Sequence, residues 1–132
     1  MRETNTSHLC MGAPWRNVKN GPEFNQVLEM ICTLNKLDME VCCTLVILTE
    51  NQIKRLFEAD LYAYNHNLDI SEEYYKKVIS TRTYEDRLKS IKKVHKTNIT
   101  VCLGGIIGMG ESLEDSAGML ISLSWLDPDP EK

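Results

Sequence analysis

Near the middle of the chain stands the segment YAYNHNLD, residues 62–69, and the rest of the sequence can be arranged around it. Its apolar and aromatic first half predicts a strand, which ends in a polar cluster. Alternate side chains of an extended chain point the same way, so Asn65, Asn67 and Asp69 would share one face. Two carboxamides and a carboxylate on one face make either a ligand clamp or a polar strand end entering a turn. The spacing alone leaves both interpretations open.

The composition is that of an ordinary soluble domain. The chain has 132 residues, of which 42% are hydrophobic and 26% charged, enough for one modest domain. The net charge of −4 argues against a protein that follows nucleic-acid phosphates, because such proteins are basic. No apolar run is long enough for a membrane span, and the polar N-terminus lacks an export signal. We therefore expect a cytoplasmic protein without nucleic-acid or membrane partners.

Apolar patterns predict strands that alternate with helices. The predicted strands cover residues 7–13, 40–48, 61–65 and 99–103. The first is predicted to be buried, and the second to be buried on both faces. Helices are predicted at residues 23–37 and 71–79. Three more are predicted to begin after Thr49, Thr83 and Ser112, the first of them at a capping box. Leu120 is expected to face inward on the last one. This alternation predicts an α/β fold with parallel strands, either a small doubly wound sheet or part of a larger barrel. In both architectures, ligands bind at the carboxyl ends of the strands.

Three of the five cysteines fall at the same end of three predicted strands. Cys10, Cys42 and Cys102 can therefore converge on one iron–sulfur cluster. The alternative is that they are small apolar residues of buried strands. The odd number of cysteines and the absence of a CxxC pair argue against a disulfide framework and a zinc ribbon.

Two further features lie close to predicted helix starts. The segment GGIIGMG, residues 104–110, lacks the GxGxxG dinucleotide fingerprint. It is either a loop whose backbone can approach an adenosine or a plain strand-to-helix turn. Arg82 can grip a carboxylate with two hydrogen bonds, or it can be a simple surface residue.

Five segments of the chain resemble the biotin synthase family of radical S-adenosylmethionine enzymes. They are HLCMGAPWR (8–16), MEVCCTL (39–45), YNHNLD (64–69), STRTY (80–84) and VCLGGIIGMGE (101–111). The resemblance extends from about residue 7 to residue 131. It implies a TIM-type (β/α) barrel, of which residues 1–132 would form a single partial domain of about four βα units. The implied family reaction is radical insertion of sulfur into dethiobiotin to form biotin.

The resemblance also implies an iron–sulfur site. Cys10, Cys42 and Cys102 match three ligands of the family's [2Fe-2S] cluster, which supplies the sulfur. The family's fourth ligand to this cluster, an arginine on a late strand, has no counterpart in the chain. No three cysteines have the CxxxCxxC spacing that holds the family's [4Fe-4S] cluster.

The polar residues match ligand contacts of the family. Asn65 and Asn67 match contacts to dethiobiotin. Asn67 and Asp69 match contacts to the ribose of S-adenosylmethionine, and Arg82 matches a contact to its carboxylate. We refer to Asn65, Asn67 and Asp69 together as the polar clamp.

These matches lead to several expectations for the whole chain. We expect a truncated biotin synthase-like chain that is inactive alone. The alternatives are a non-catalytic remnant that binds an iron–sulfur cluster or S-adenosylmethionine, and an unliganded folding fragment. Family members are typically homodimers, and a half barrel has open sheet edges, so self-association is expected.

Four residues depart from the family pattern. Val46 stands where the family usually has a glycine, and Ser116 stands where an arginine is usual. Asp60 stands where a glycine usually ends a helix, which predicts a costlier left-handed turn. Leu103 stands where a serine usually follows the cluster cysteine, which predicts a crowded or drier cluster site.

Overall fold

The computed structural model describes residues 6–13, 19–45 and 47–126. The strands are β1 (His8–Gly12), β2 (Glu40–Thr44), β3 (Ala63–Asn65) and β4 (Thr100–Cys102). The helices are α1 (Pro22–Asn35), α2 (Glu50–Glu58), α3 (Glu72–Val78), α4 (Tyr84–Val94) and α5 (Leu113–Trp125). Each predicted strand and helix is present, and the strands are shorter than predicted. Val46, within the predicted strand 40–48, lies outside the described residues.

The four strands form one parallel sheet in the order β1-β2-β3-β4. Cys10 is in register with Cys42, Ala63 with both Cys42 and Thr100, and Asn65 with Cys102. A doubly wound sheet reverses its strand order at a switch point, whereas a barrel adds each strand beside the previous one. The observed order is therefore that of a partial TIM-type barrel.

The hydrophobic core lies between the helices and one face of the sheet. Its strand residues Val41, Cys43 and Tyr64 are fully buried. The helices contribute Phe24, Ile31, Leu56, Tyr75 and Ile91. This burial of apolar area is the main stabilising term of the unit.

The opposite face of the sheet is open among the described residues, and this overturns one prediction. The strand predicted at 40–48 is not buried on both faces, because Cys42 is half-buried, and the strand predicted as buried at 7–13 leaves Cys10 exposed. Val41, which points to the other face, is fully buried. The apolar composition of a strand cannot tell whether a second layer covers it, and here the helices cover one face only.

Side-chain caps fix where the helices begin. At α2, the Gln52 N–H donates to Thr49 Oγ1 at 3.3 Å and the Thr49 N–H donates to Gln52 Oε1 at 2.8 Å. The predicted capping box is therefore confirmed, and Thr83 and Ser112 begin α4 and α5 with boxes of the same kind. Such caps satisfy amide groups that have no partner inside the helix.

Helix α5 packs less tightly than predicted. Leu120, expected to face inward, is 57% exposed, and Leu113 and Trp125 are more exposed still. Met119 is the residue of this helix that is fully buried. No helix in the described part of the chain is long and apolar enough to cross a bilayer.

Candidate functional site

A cavity of about 240 Å³ opens at the carboxyl ends of the strands. It is lined by Ala13, Thr44, Leu45, Asn65, His66, Asn67, Asp69, Arg82 and Arg87. The polar clamp and Arg82, predicted as ligand contacts, thus lie around one space, and their roles remain predictions. Larger cavities of about 560 and 470 Å³ lie beside α1 and between α3 and α4. The smaller cavity is the better candidate site because it collects the polar side chains at the strand ends.

The segment 65–69 stays extended beyond β3. The His66 N–H donates to Cys102 O at 3.0 Å, and the Leu68 N–H donates to Gly104 O at 2.9 Å. Burial alternates as predicted: the three clamp residues are half-buried, whereas His66 and Leu68 are buried. Asp69 ends the segment in a left-handed conformation with a φ of 69°. The clamp is therefore held by backbone pairing to the segment that follows β4.

Arg87 contacts two residues of the clamp and holds them in place. The sequence analysis did not identify this residue. Its guanidinium pairs with the Asp69 carboxylate and donates to Asn67 O at 2.7 Å. Its Nε donates to the Tyr75 hydroxyl at 2.7 Å. Only 14% of the Arg87 side chain is exposed. One signal was available, because position 87 lies on the stripe that carries the buried Tyr84, Ile91 and Val94, where a cation requires a partner.

Two buried polar atoms at the site have no hydrogen-bond partner among the described residues. They are Asn65 Oδ1 and His66 Nε2. An unpartnered buried polar atom costs free energy unless a ligand or water completes it. Burial and the positive charges of Arg87 and Arg82 lower the pKa of His66 to about 4, so this imidazole is neutral at pH 7. Asn65 Oδ1 fits a ligand that offers a hydrogen-bond donor, whereas the neutral imidazole of His66 can donate or accept at Nε2 according to its tautomer.

The glycine-rich loop is braced by its own glutamate. The Glu111 carboxylate accepts from the Gly108 and Met109 amides, each at 2.6 Å. These bonds hold the pKa of Glu111 below its usual range. At the other end of the loop, a Cβ on Gly104 would lie 3.1 Å from Asn67 Oδ1. The loop is thus a braced turn, and Gly104 is the glycine that lets the backbone approach the clamp.

Cys10, Cys42 and Cys102 share the open face of the sheet, just below the clamp. Cys10 and Cys42 are direct partners on neighbouring strands, and Cys102 lies opposite Asn65. Burial, followed by the hydrogen bond to Cys10 and the charges of Cys10, Cys102 and Cys43, raises the pKa of the Cys42 thiol to about 12. Neighbouring thiolates repel one another, so the three can ionise together only around a cation, and metal coordination deprotonates thiols.

The three thiols are not arranged as ligands of one metal ion. Within the described ranges, no three His, Cys, Asp or Glu side chains lie close enough to share one metal ion. A [2Fe-2S] cluster distributes its thiolate ligands over two irons and so spans a wider site. Three thiols on one face, with Cys10 and Cys102 exposed and Cys42 half-buried, are therefore candidates for three of its ligand positions, and this role remains a prediction. Cys32 on α1 and the core residue Cys43 lie elsewhere.

Leu103 does not crowd this site, contrary to the prediction. It packs against the hydrophobic core, whereas its neighbour Cys102 is exposed. Successive strand residues point to opposite faces. Leucine in place of serine at position 103 therefore changes the helix-covered face of the sheet and leaves open the face that carries the three thiols.

Comparison with known proteins gives a consistent family. The model of the Radical SAM superfamily matches residues 9–121. A biotin synthase from Flavobacterium johnsoniae is 71% identical over 130 residues, covering 98% of this chain and 36% of that protein. A biotin synthase from Nostoc punctiforme is 55% identical over 130 residues, covering 98% of this chain and 39% of its own length. The chain thus spans a little over a third of the length of these curated relatives.

Solved structures agree on the fold. The crystal structure of a methylornithine synthase superimposes with a TM-score of 0.78 at 15% identity, covering 93% of this chain and 37% of that one. An FeFe-hydrogenase maturase from Carboxydothermus hydrogenoformans gives a TM-score of 0.67 at 15% identity, covering 95% of this chain and 30% of that one. At these identities, the likeness concerns the fold alone.

Proposed function

Because this chain belongs to the radical SAM superfamily, we propose that it carries the sulfur-donor cluster site and the ligand clamp of a biotin synthase-type enzyme. The reaction of that enzyme type is the insertion of sulfur into dethiobiotin to form biotin. The observation that carries the proposal is that three thiols share one face of a parallel sheet, next to a polar clamp at the carboxyl edge of that sheet. This edge is where barrel enzymes hold their ligands.

The clamp is assigned to S-adenosylmethionine and dethiobiotin. Asn67 and Asp69 would bind the ribose, since a carboxamide and a carboxylate together accept from and donate to a diol. Arg82 would bind the carboxylate of the amino-acid end. Asn65 and Asn67 would bind the dethiobiotin ureido group, and the unpartnered Asn65 Oδ1 supports this role because it can accept from a ureido N–H.

Cys10, Cys42 and Cys102 are assigned to a [2Fe-2S] cluster. When bound, that group supplies the sulfur atom of the reaction. The chain's own part is to hold three thiolates on an open face within reach of the clamp. The fourth ligand would come from outside this chain or from solvent.

The chain does not fit the family's second cluster. Its five cysteines include no CxxxCxxC spacing, and no step is assigned to a [4Fe-4S] cluster here. We therefore propose that the 132-residue polypeptide binds ligands without cleaving S-adenosylmethionine. Its residues 1–132 would act as one partial barrel domain.

Anaerobic reconstitution with iron and sulfide, followed by titration with S-adenosylmethionine, tests this function. The expected results are a bound cluster, saturable binding of S-adenosylmethionine that is weakened at least tenfold by Asp69→Asn, and no 5′-deoxyadenosine. Glu58→Gln, on the far end of α2, is the matched control and should bind like the parent. Formation of 5′-deoxyadenosine or biotin above background would contradict the proposed inactivity, and absence of both cluster and S-adenosylmethionine binding would leave only an unliganded fragment.

We also propose that the isolated chain associates with a second copy. Among the described residues, β1 and β4 each pair on one side only, which leaves two open sheet edges. Unpaired edges and exposed apolar side chains such as Trp125 favour association. Light scattering should report dimers or larger species, and a monodisperse monomer at all concentrations would sink this part of the proposal.

A further inference from the structure

Thr44 links the thiols to the clamp cavity. It is the last residue of β2, two positions after Cys42, and its side chain lines the cavity. Its hydroxyl lies 3.9 Å from Cys10 Sγ on the neighbouring strand. Its own register partner is Gly12, and a Cβ there would meet nothing within 4 Å. The space above Cys10 is therefore open, and the Thr44 hydroxyl is the polar group at its border.

We propose that Thr44 is a positioning residue for the cluster, whose hydroxyl donates a hydrogen bond to the Cys10 sulfur when that sulfur is a metal-bound thiolate. The inference rests on the proposed function, because it requires the cluster to be bound. A charged sulfur accepts a hydrogen bond more strongly than a neutral thiol, so the contact tightens on metal binding. The hydroxyl already lies within reach of the sulfur, since strand pairing fixes Thr44 and Cys10 relative to each other.

Such a bond has two consequences. It would hold the Cys10 ligand in place beside the cavity, because Thr44 lines the cavity and its hydroxyl lies next to Cys10 Sγ. It also withdraws electron density from the sulfur, which stabilises the reduced cluster and raises its reduction potential. Removal of the hydroxyl should therefore lower the potential, whereas removal of the methyl group alone should not.

The test compares the parent with Thr44→Val and Thr44→Ser after anaerobic reconstitution of the full chain. Valine keeps the shape and loses the hydroxyl, and serine keeps the hydroxyl. We expect Thr44→Val to shift the midpoint potential to more negative values and to change the visible circular dichroism of the cluster. Thr44→Ser should match the parent in both. Should Thr44→Val fail to fold, Thr44→Ala removes the hydroxyl without an added apolar branch and carries the same expectation.

Three outcomes would overturn the inference. Hydroxyl-free variants with the parent's potential and spectrum would show that the hydroxyl does not reach the cluster. A serine variant that shifts as far as the valine variant would assign the effect to shape. A parent that takes up no cluster would refute the proposed function and this inference together, whereas a cluster-bearing parent with unchanged variants refutes the inference alone.

Discussion

At the scale of single residues, Arg87 shows what pattern reading misses. The clamp residues were found from their alternation, and the burial of segment 65–69 follows it. Arg87 became visible only through its contacts, because three of its partners lie 12 to 20 positions earlier in the chain. Local periodicity carries no information on contacts at that separation. The buried stripe of α4 indicates that Arg87 needs a partner, but it does not indicate which residue that partner is.

Arg87→Met should destabilise the chain. It leaves the Asp69 carboxylate and Asn67 O without their donor at a site where the guanidinium is 14% exposed. We expect a loss of about 2 kcal/mol, because truncating one partner of a mostly buried pair leaves an uncompensated charge. Arg87→Lys keeps the charge but cannot form the planar fork, so its loss should be about half as large. Urea unfolding measures both, and midpoints equal to that of the parent would refute the role of this pair.

His66 should make the fold sensitive to mild acid. Its pKa is about 4 in the folded chain, against an ordinary value of 6.5. Between these values the unfolded chain binds a proton that the folded chain does not, so stability falls as the pH drops from 6.5 to 4. The full effect is on the order of 3 kcal/mol, since one pKa unit corresponds to about 1.4 kcal/mol. Hydrogen bonds also lower the pKa values of the Asp86, Asp115 and Glu111 carboxylates, so these groups lose their stabilising contribution as acid protonates them.

The variant His66→Phe isolates this term. It keeps a ring in the stack on Tyr64, where the centroids are 5.6 Å apart, and it cannot be protonated. Urea midpoints measured at pH 7 and pH 4.5 should differ less in the variant than in the parent. Equal differences in the two proteins would show that His66 does not titrate in this window.

At the scale of helices and strands, local sequence signals were the most informative. The capping box at Thr49 is present in full, because its atoms lie within one turn of the chain. The burial of a strand depends on distant layers, and for this reason it was predicted wrongly for β1 and β2. The turn that ends α2 is an intermediate case, because its conformation depends on the single residue at position 60. Asp60 adopts a left-handed conformation with a φ of 59°, as its position in the family pattern predicted.

Asp60→Gly should stabilise the chain. Glycine reaches the left-handed region without the steric penalty of a Cβ, so we expect a gain of about 0.5 to 1 kcal/mol. Glu58→Gly, at the last position of α2, is the matched control and should cost about 0.5 to 1 kcal/mol as a glycine within a helix. Thermal unfolding followed by circular dichroism separates the two. A lower melting temperature for Asp60→Gly than for the parent would contradict this prediction. It would show that contacts of the aspartate side chain stabilise the fold by more than its left-handed conformation costs.

At the scale of the whole molecule, the four parallel strands in chain order place two chemically different groups on neighbouring parts of one sheet. The sulfurs lie on the open face, the clamp lies at the strand ends, and Thr44 lines the cavity next to Cys10. The alternation of strands and helices was enough to predict the α/β class and the end at which ligands bind. It could not distinguish a doubly wound sheet from a barrel, because strand order is set by packing between segments that are distant in sequence. The observed sheet order resolves that choice.

The central claim is that Cys10, Cys42 and Cys102 act together as cluster ligands. Its most direct test is the iron and sulfide content of anaerobically reconstituted protein, with visible absorbance, for the parent, Cys42→Ser and Cys32→Ser. Cys32 is an exposed cysteine on α1, away from the thiol face, and serves as the matched control. We predict that the parent and Cys32→Ser bind iron and sulfide in equal amounts, and that Cys42→Ser loses most of both. A Cys42→Ser variant that reconstitutes as well as the parent would contradict the claim.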